Sequence, residues 1–178
     1  MSRLTNITML VGAVVLTACA TSGGKSSANN LSVVETVTIN APAAKVWEKV
    51  GNFADLGAFH PAIAKTEILS GKNNMAGAVR LLTLQDGGTV NETLTSRSAE
   101  NMTYAYVINE SVLPVSNYSA NIQVKAMTAS TTKVVWSAKF KRKDLSAYPA
   151  KGQDDKAGTD TIHAVFKGGL DNLKKITE

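Results

Sequence analysis

The sequence predicts an α+β domain in which a curved, seven-stranded antiparallel sheet wraps around a long C-terminal helix. Three observations carry this. Seven segments alternate apolar and polar residues with a period of two, as half-buried strands do. Short separators rich in Gly, Asn, Asp and Ser join most of the last six, which reads as a run of sequential antiparallel neighbours. Near the C-terminus Ile162, Val165, Phe166, Gly169, Leu170 and Leu173 keep a 3.6-residue period, one apolar stripe for a bent sheet to enclose.

The 178-residue chain divides into three parts. Residues 1–18 read as a signal peptide: Arg3 lies in a short basic start, and an apolar run over 9–16 follows, too short to span a bilayer comfortably. Leu16-Thr17-Ala18-Cys19 is similar to a bacterial lipobox, in which the cysteine becomes the lipidated first residue. Cys19 is the only cysteine, so no disulfide is available and the thiol has one evident use. Ala20 after it implies, by that resemblance, the periplasmic face of the outer membrane. Residues 19–30 form a small, polar, Gly/Ser-type tether. Its Gly23-Gly24-Lys25-Ser26 lacks the first glycine and the preceding strand of a phosphate loop.

Residues 31–178 have the size of one domain. Over the whole chain, 44% hydrophobic and 19% charged residues give a balance that can bury a core. The net charge of +5 is scattered, with one cluster at Lys139, Lys141, Arg142 and Lys143. No aromatic–basic interleaving accompanies it, so nucleic acid is not an expected partner. The cluster reads as a solvated strand end, and for a membrane-tethered protein weak attraction to anionic lipid headgroups is the simpler explanation.

The elements follow in order. Val33, Val37 and Ile39 mark a first strand. Asn40 is read as the cap of a helix with Pro42 in its first turn, Val46, Trp47 and Val50 on one side, and Gly51 at its end. A second short helical turn is expected from Phe53 to Leu56. Strands are expected over 63–69, 78–84, 89–95, 102–110, 118–127 and 133–140, before the polar stretch 141–156 and the final helix. The connector from Ser111 to Asn117 holds Pro114, which suits a turn or an edge. It also carries Val112, Leu113 and Val115, greasier than most loops, either as a lid over something apolar or to tuck a leucine into the core.

Several segments resemble the START/Bet v 1-like (SRPBCC) superfamily, in its polyketide cyclase/dehydrase-like branch. They are Ala41-Pro42-Ala43-Ala44-Lys45-Val46-Trp47, Phe53 through His60-Pro61, Gly77-Ala78-Val79-Arg80, Asn91-Glu92-Thr93-Leu94, Tyr104-Ala105-Tyr106 and Glu110 through Tyr118. Ser111-Val112-Leu113-Pro114-Val115 is also similar to the gating loop of plant abscisic-acid receptors, with valine at 112 where those have glycine. The resemblance implies a helix-grip fold with an internal cavity between sheet and last helix. It also implies a hydrophobic ligand such as a lipid, sterol or polyketide, and in some members cyclisation or dehydration.

Glu92 shares strand parity with Val90 and Leu94, so its carboxylate faces inward if they do. A buried charge needs a partner, and Arg80 on the preceding strand can supply it, with Tyr104 or Tyr106 adding hydroxyls. Such a group is either a polar handle for a ligand or a structural ion pair. His60, in Phe59-His60-Pro61, is either an entrance contact or a loop-fixing group; no second histidine or surviving cysteine stands at metal-ligand spacing. Trp47, Phe53, Phe59, Tyr118, Trp136 and Phe166, with Leu113 and Pro114, complete the candidate ligand wall. No cofactor motif and no nucleophile–base–orienter set is present in the sequence. The chain is therefore read as a lipid-anchored envelope protein that binds a small hydrophobic molecule. A cyclase or dehydrase using Glu92 or His60 as acid/base, and an assembly module for another envelope protein, are the alternatives.

Overall fold

The computed structural model describes residues 27–178. The expected signal peptide, Cys19 and most of the expected tether lie outside the described residues. The elements are β1 (Leu31–Ile39), α1 (Ala43–Val50), a 3₁₀ turn (Leu56–Ala58), β2 (Ile63–Ser70), β3 (Val79–Leu84), β4 (Thr89–Ser98), β5 (Thr103–Ser111), β6 (Val115–Ala126), β7 (Thr132–Arg142) and α2 (Asp155–Thr177). All seven strands form one antiparallel sheet in the order β1-β7-β6-β5-β4-β3-β2. Six run as a meander, and β1 closes onto the last. The sheet bends around α2, giving the expected helix-grip arrangement.

Alternation decides which residues build the core. Along β7 Thr132, Val134, Trp136, Ala138, Phe140 and Arg142 are buried, and the residues between them are not. From α2, Ile162, Phe166, Gly169, Leu170 and Leu173 meet that inner face. The helix starts at Asp154, whose carboxylate accepts the Ala157 N–H at 2.7 Å and satisfies one of its free donors.

Two local expectations are corrected. Asn40 does not cap α1. Pro42 occupies the N-cap position with an extended backbone and no side-chain cap, so Asn40 sits too early to reach the first free amides. Its own N–H instead donates to Glu178 Oε1 at 2.7 Å, tying the chain end to the β1 exit. The connector after β5 is also shorter than expected, because Val115 and Ser116 already pair with Arg142 and Lys141. The extra residue is absorbed by a bulge between Ser116 and Ser119, where Asn117 takes a φ of 48°. Only residues 112–114 remain as a turn, and Val112, in the glycine position of the gating-loop resemblance, is not among the residues of positive φ.

Adjacent glycines of α2 behave differently. A Cβ on Gly169 would meet His60 Cδ2 at 2.7 Å and Trp136 Cζ3 at 3.0 Å, whereas one on Gly168 would meet nothing within 4 Å. Gly169 is the point at which helix, sheet and the His60 loop touch. Gly168→Ala should therefore gain ~1 kcal/mol through helix propensity, and Gly169→Ala should lose ~1–3 kcal/mol through overpacking. Urea midpoints moving in opposite directions would bear this out; two parallel shifts would contradict it.

Candidate functional site

The space between α2 and the sheet is mostly filled, leaving one cavity of about 90 Å³. Its inner wall holds Glu92, Tyr106, Tyr118 and Trp136, and α2 contributes Ile162, Val165 and Phe166. Leu56, Ile63, Leu82, Leu84, Val90 and Ile108 close the sides, with Leu113 reaching in from the turn after β5. The chamber is apolar apart from its acid, its phenols and the edges of Trp136 and His60.

Glu92 faces inward because β4 alternates: Val90, Glu92 and Leu94 are all buried. Arg80 lies directly opposite it in the β3–β4 register and is fully buried. Arg80 Nε donates to Glu92 Oε2 at 2.7 Å, and Nη2 lies 2.6 Å from the same oxygen. Nη1 donates to the Phe53 carbonyl at 2.8 Å, and the guanidinium stacks 4.1 Å above the Phe53 ring. The arginine is thus held from three sides. Both Arg80 contacts fall on Oε2, among the described residues no hydrogen bond reaches Glu92 Oε1, and Glu92 lines the cavity.

Burial pushes the Glu92 carboxyl above its usual range, and the Arg80 charge opposes this without cancelling it. Burial alone would lower the Arg80 pKa, but the Glu92 charge raises it, so the guanidinium stays protonated. Tyr104, Tyr106 and Tyr118 are all pushed up by desolvation. They are neutral hydroxyls at any ordinary pH. Tyr106 Oη accepts the Trp136 Nε1–H at 3.0 Å.

His60 is engaged at both nitrogens. Nδ1 accepts the Ala62 N–H at 3.2 Å, so Nε2 carries the proton and donates to the Val165 carbonyl at 2.9 Å. Burial lowers its pKa, with the Val165 hydrogen bond pulling the other way. The ring edges the cavity while its nitrogens pin the loop after the 3₁₀ turn to α2. General-base action would first require breaking one of these bonds.

Seven of the sequence-derived candidates border the cavity: His60, Glu92, Tyr106, Leu113, Tyr118, Trp136 and Phe166. Six stand outside that wall. Arg80 and Phe53 support Glu92, and Tyr104 packs among Trp47, Phe53 and Tyr106 at centroid distances of 6.4, 6.1 and 5.9 Å. Phe59 packs on Trp136, while Pro114 turns its carbonyl to the Lys143 N–H. The sequence reading missed the aliphatic walls. Leu82 could have been found from its register opposite Val90, which shares Glu92's parity. Among the described residues no group of three or more His, Cys, Asp or Glu side chains could hold a metal ion.

The sequence profile of a family described as polyketide cyclase / dehydrase and lipid transport matches residues 30–178. Among solved structures, the XoxI protein of Bacillus cereus is 26% identical with a TM-score of 0.71, over 82% of this chain and 94% of its own. An uncharacterised protein of Bacillus thuringiensis is 27% identical with a TM-score of 0.72, over 83% and 98%. The Zhui aromatase/cyclase of Streptomyces sp. R1128 shares the fold, at 21% identity and a TM-score of 0.66, over 84% and 94%. No curated protein matches the chain.

Proposed function

Because the chain belongs to the polyketide cyclase / dehydrase and lipid transport family, we propose that it binds a small hydrophobic molecule in the α2–sheet cavity. We further propose that it does so in the cell envelope, lipid-anchored through Cys19 at the periplasmic face of the outer membrane. The anchor and the location rest on the lipobox-like Leu16-Thr17-Ala18-Cys19 alone. The binding role rests on one observation: a buried carboxylate with Oε1 unpartnered, set in an otherwise greasy chamber. A ligand that brings a donor to the oxygen Arg80 does not use gains a charge-assisted hydrogen bond there. The ligand this favours is an amphiphile with a hydroxyl or similar donor at its buried end and an apolar body toward the rim.

A chamber of about 90 Å³ holds a ring-sized group and not a whole lipid. Binding a larger molecule therefore moves something. The cheapest group to move is Leu113, on the three-residue turn, whose side chain is only partly buried. Glu92 is paired with Arg80 and His60 is tied at both nitrogens, an arrangement that serves holding a ligand better than passing protons.

The reading is tested by titrating the protein with apolar alcohols and following tryptophan emission, since Trp136 stacks on Phe166 at the cavity wall. Alcohols should bind more tightly than the matching alkanes. Glu92→Gln should cut alcohol affinity ~10–100-fold, the loss of a charge-assisted hydrogen bond, and leave alkane affinity nearly unchanged. Equal effects on both series, or no saturable binding, would remove the proposed handle.

A further inference from the structure

The ends of the elements sort into two groups. β1 begins opposite Phe140 and β7 ends opposite Val115, so the start of β1, the end of β7 and the turn after β5 lie together. The β3–β4 turn joins them, because Val90 pairs with Ser111. So does the start of α2, where Gly158 packs against the Pro114 carbonyl. The cavity lies toward this end: Leu84, Val90, Leu113 and Ile162 all line it. The turn after β6, with Met127, is at the far end.

The described chain enters at the cavity end and is held there. Asn29 Nδ2 donates to Asp155 Oδ2 at 2.7 Å, and Asp155 Oδ1 accepts from the buried Arg142 at 3.1 Å. Ser27, eight residues after Cys19, offers its carbonyl to the same arginine. Arg142 also donates to the carbonyls of Asp144 and Ser146, bracing the loop after β7 from inside. That loop exposes Leu145 and Tyr148, and Lys143 joins it to the turn that exposes Val112. These three side chains are 50–64% exposed, as are Val34, Leu69, Met75 and Met127 elsewhere, but here they sit on adjoining turns.

We propose that this end rests on a lipid bilayer, with Val112, Leu145 and Tyr148 in the headgroup region and the cavity opening onto it. The inference rests on the Cys19 anchor proposed above and adds an orientation to it. Chain length carries the argument. Eight residues reach at most ~28 Å, whereas β6 alone spans ~35 Å between the two ends at the usual rise. A lipid on Cys19 cannot reach the bilayer if the far end is the one resting on it. The cavity end is within reach, and it carries apolar side chains where contact would occur. Charges at this end are of both signs: Lys141, Lys143 and Lys151 are accompanied by Asp86, Glu110 and Asp154 on the same strand ends and turns. Contact is therefore made by apolar insertion and does not need anionic lipid. A ligand can then pass between bilayer and cavity without crossing water.

The test uses the full-length, lipidated protein in phosphatidylcholine vesicles, with an environment-sensitive thiol dye on Val112→Cys, Tyr148→Cys or Met127→Cys. All three positions are exposed, so folding is not at stake, and Met127 is the equally exposed hydrophobe of the far end. Lipid-borne quenchers should quench the dye at 112 and 148 several-fold more than at 127, in neutral vesicles as well as anionic ones. Equal quenching, or stronger quenching at 127, overturns the orientation. The anchor is checked separately: the unsubstituted protein should take no dye, because a lipid joined to the Cys19 sulfur as a thioether leaves no free thiol. Dye on Cys19 would remove the anchor and this inference with it, while a blocked Cys19 with position 112 in water would remove the orientation alone.

Discussion

Replacing Arg80 with methionine is expected to cost ~3–5 kcal/mol of stability, because it strands Glu92 as an uncompensated buried charge. Arg80 is fully buried, and its other contacts, the Phe53 carbonyl and ring, depend on the same guanidinium. Pairing the change with Glu92→Leu should recover most of the loss. An apolar pair of similar volume avoids desolvating two charges, and such replacements are often neutral or stabilising. The deficit of the single variant should also depend on pH. Burial already raises the Glu92 pKa, and without Arg80 nothing opposes that. The native state then holds a proton that the unfolded chain releases above its ordinary carboxyl pKa, so the variant gains stability as pH falls from 8 toward 5. Urea unfolding of wild type, single and double variants at several pH values measures all of this. A loss under ~1 kcal/mol, or a deficit flat with pH, would mean that the pair is not the buried charge couple described here.

The pair was legible in the sequence for a simple reason. A strand offers only two faces, so the apolar neighbours Val90 and Leu94 decide where Glu92 points, and a short turn places β3 beside it. The helix-grip arrangement was legible too, since a period switch from two to 3.6 and short separators leave few topologies. The partners of His60 were not. Its Nε2 meets a carbonyl 105 residues away, and nothing local marks that. Gly169 was legible as part of the apolar stripe, but its close approach to His60 and Trp136 was not, since both partners are distant in sequence. The size of the chamber was the least legible quantity. Residue types predicted an apolar interior, but its volume depends on how rings interlock. The Trp136–Phe166 stack, at 4.4 Å and 13°, takes up much of the room.

The stack thus acts as a plug, and Phe166→Ala should show it. The ring is fully buried, and its loss should cost ~3–5 kcal/mol through lost transfer energy and the cavity left behind. The void opens beside the existing space of about 90 Å³, in walls made by Ile162, Leu82 and Trp136. An apolar cavity of that kind stays dry and accepts small aromatic molecules. Benzene or indole should therefore stabilise the variant far more than wild type, by up to ~2.7 kcal/mol at a hundredfold excess over Kd, read as a higher melting point. Wild type should respond more weakly, because its free space of about 90 Å³ admits one ring at most while Phe166 fills the rest. Trp136 emission should shift in the variant as its stacking partner disappears, and shift back when an aromatic ligand enters. If both proteins respond equally, the added ligand is binding elsewhere and the chamber is not limited by this ring. If the variant loses stability and no ligand restores it, the α2–sheet gap has collapsed, and the space beside Glu92 does not persist as a binding site.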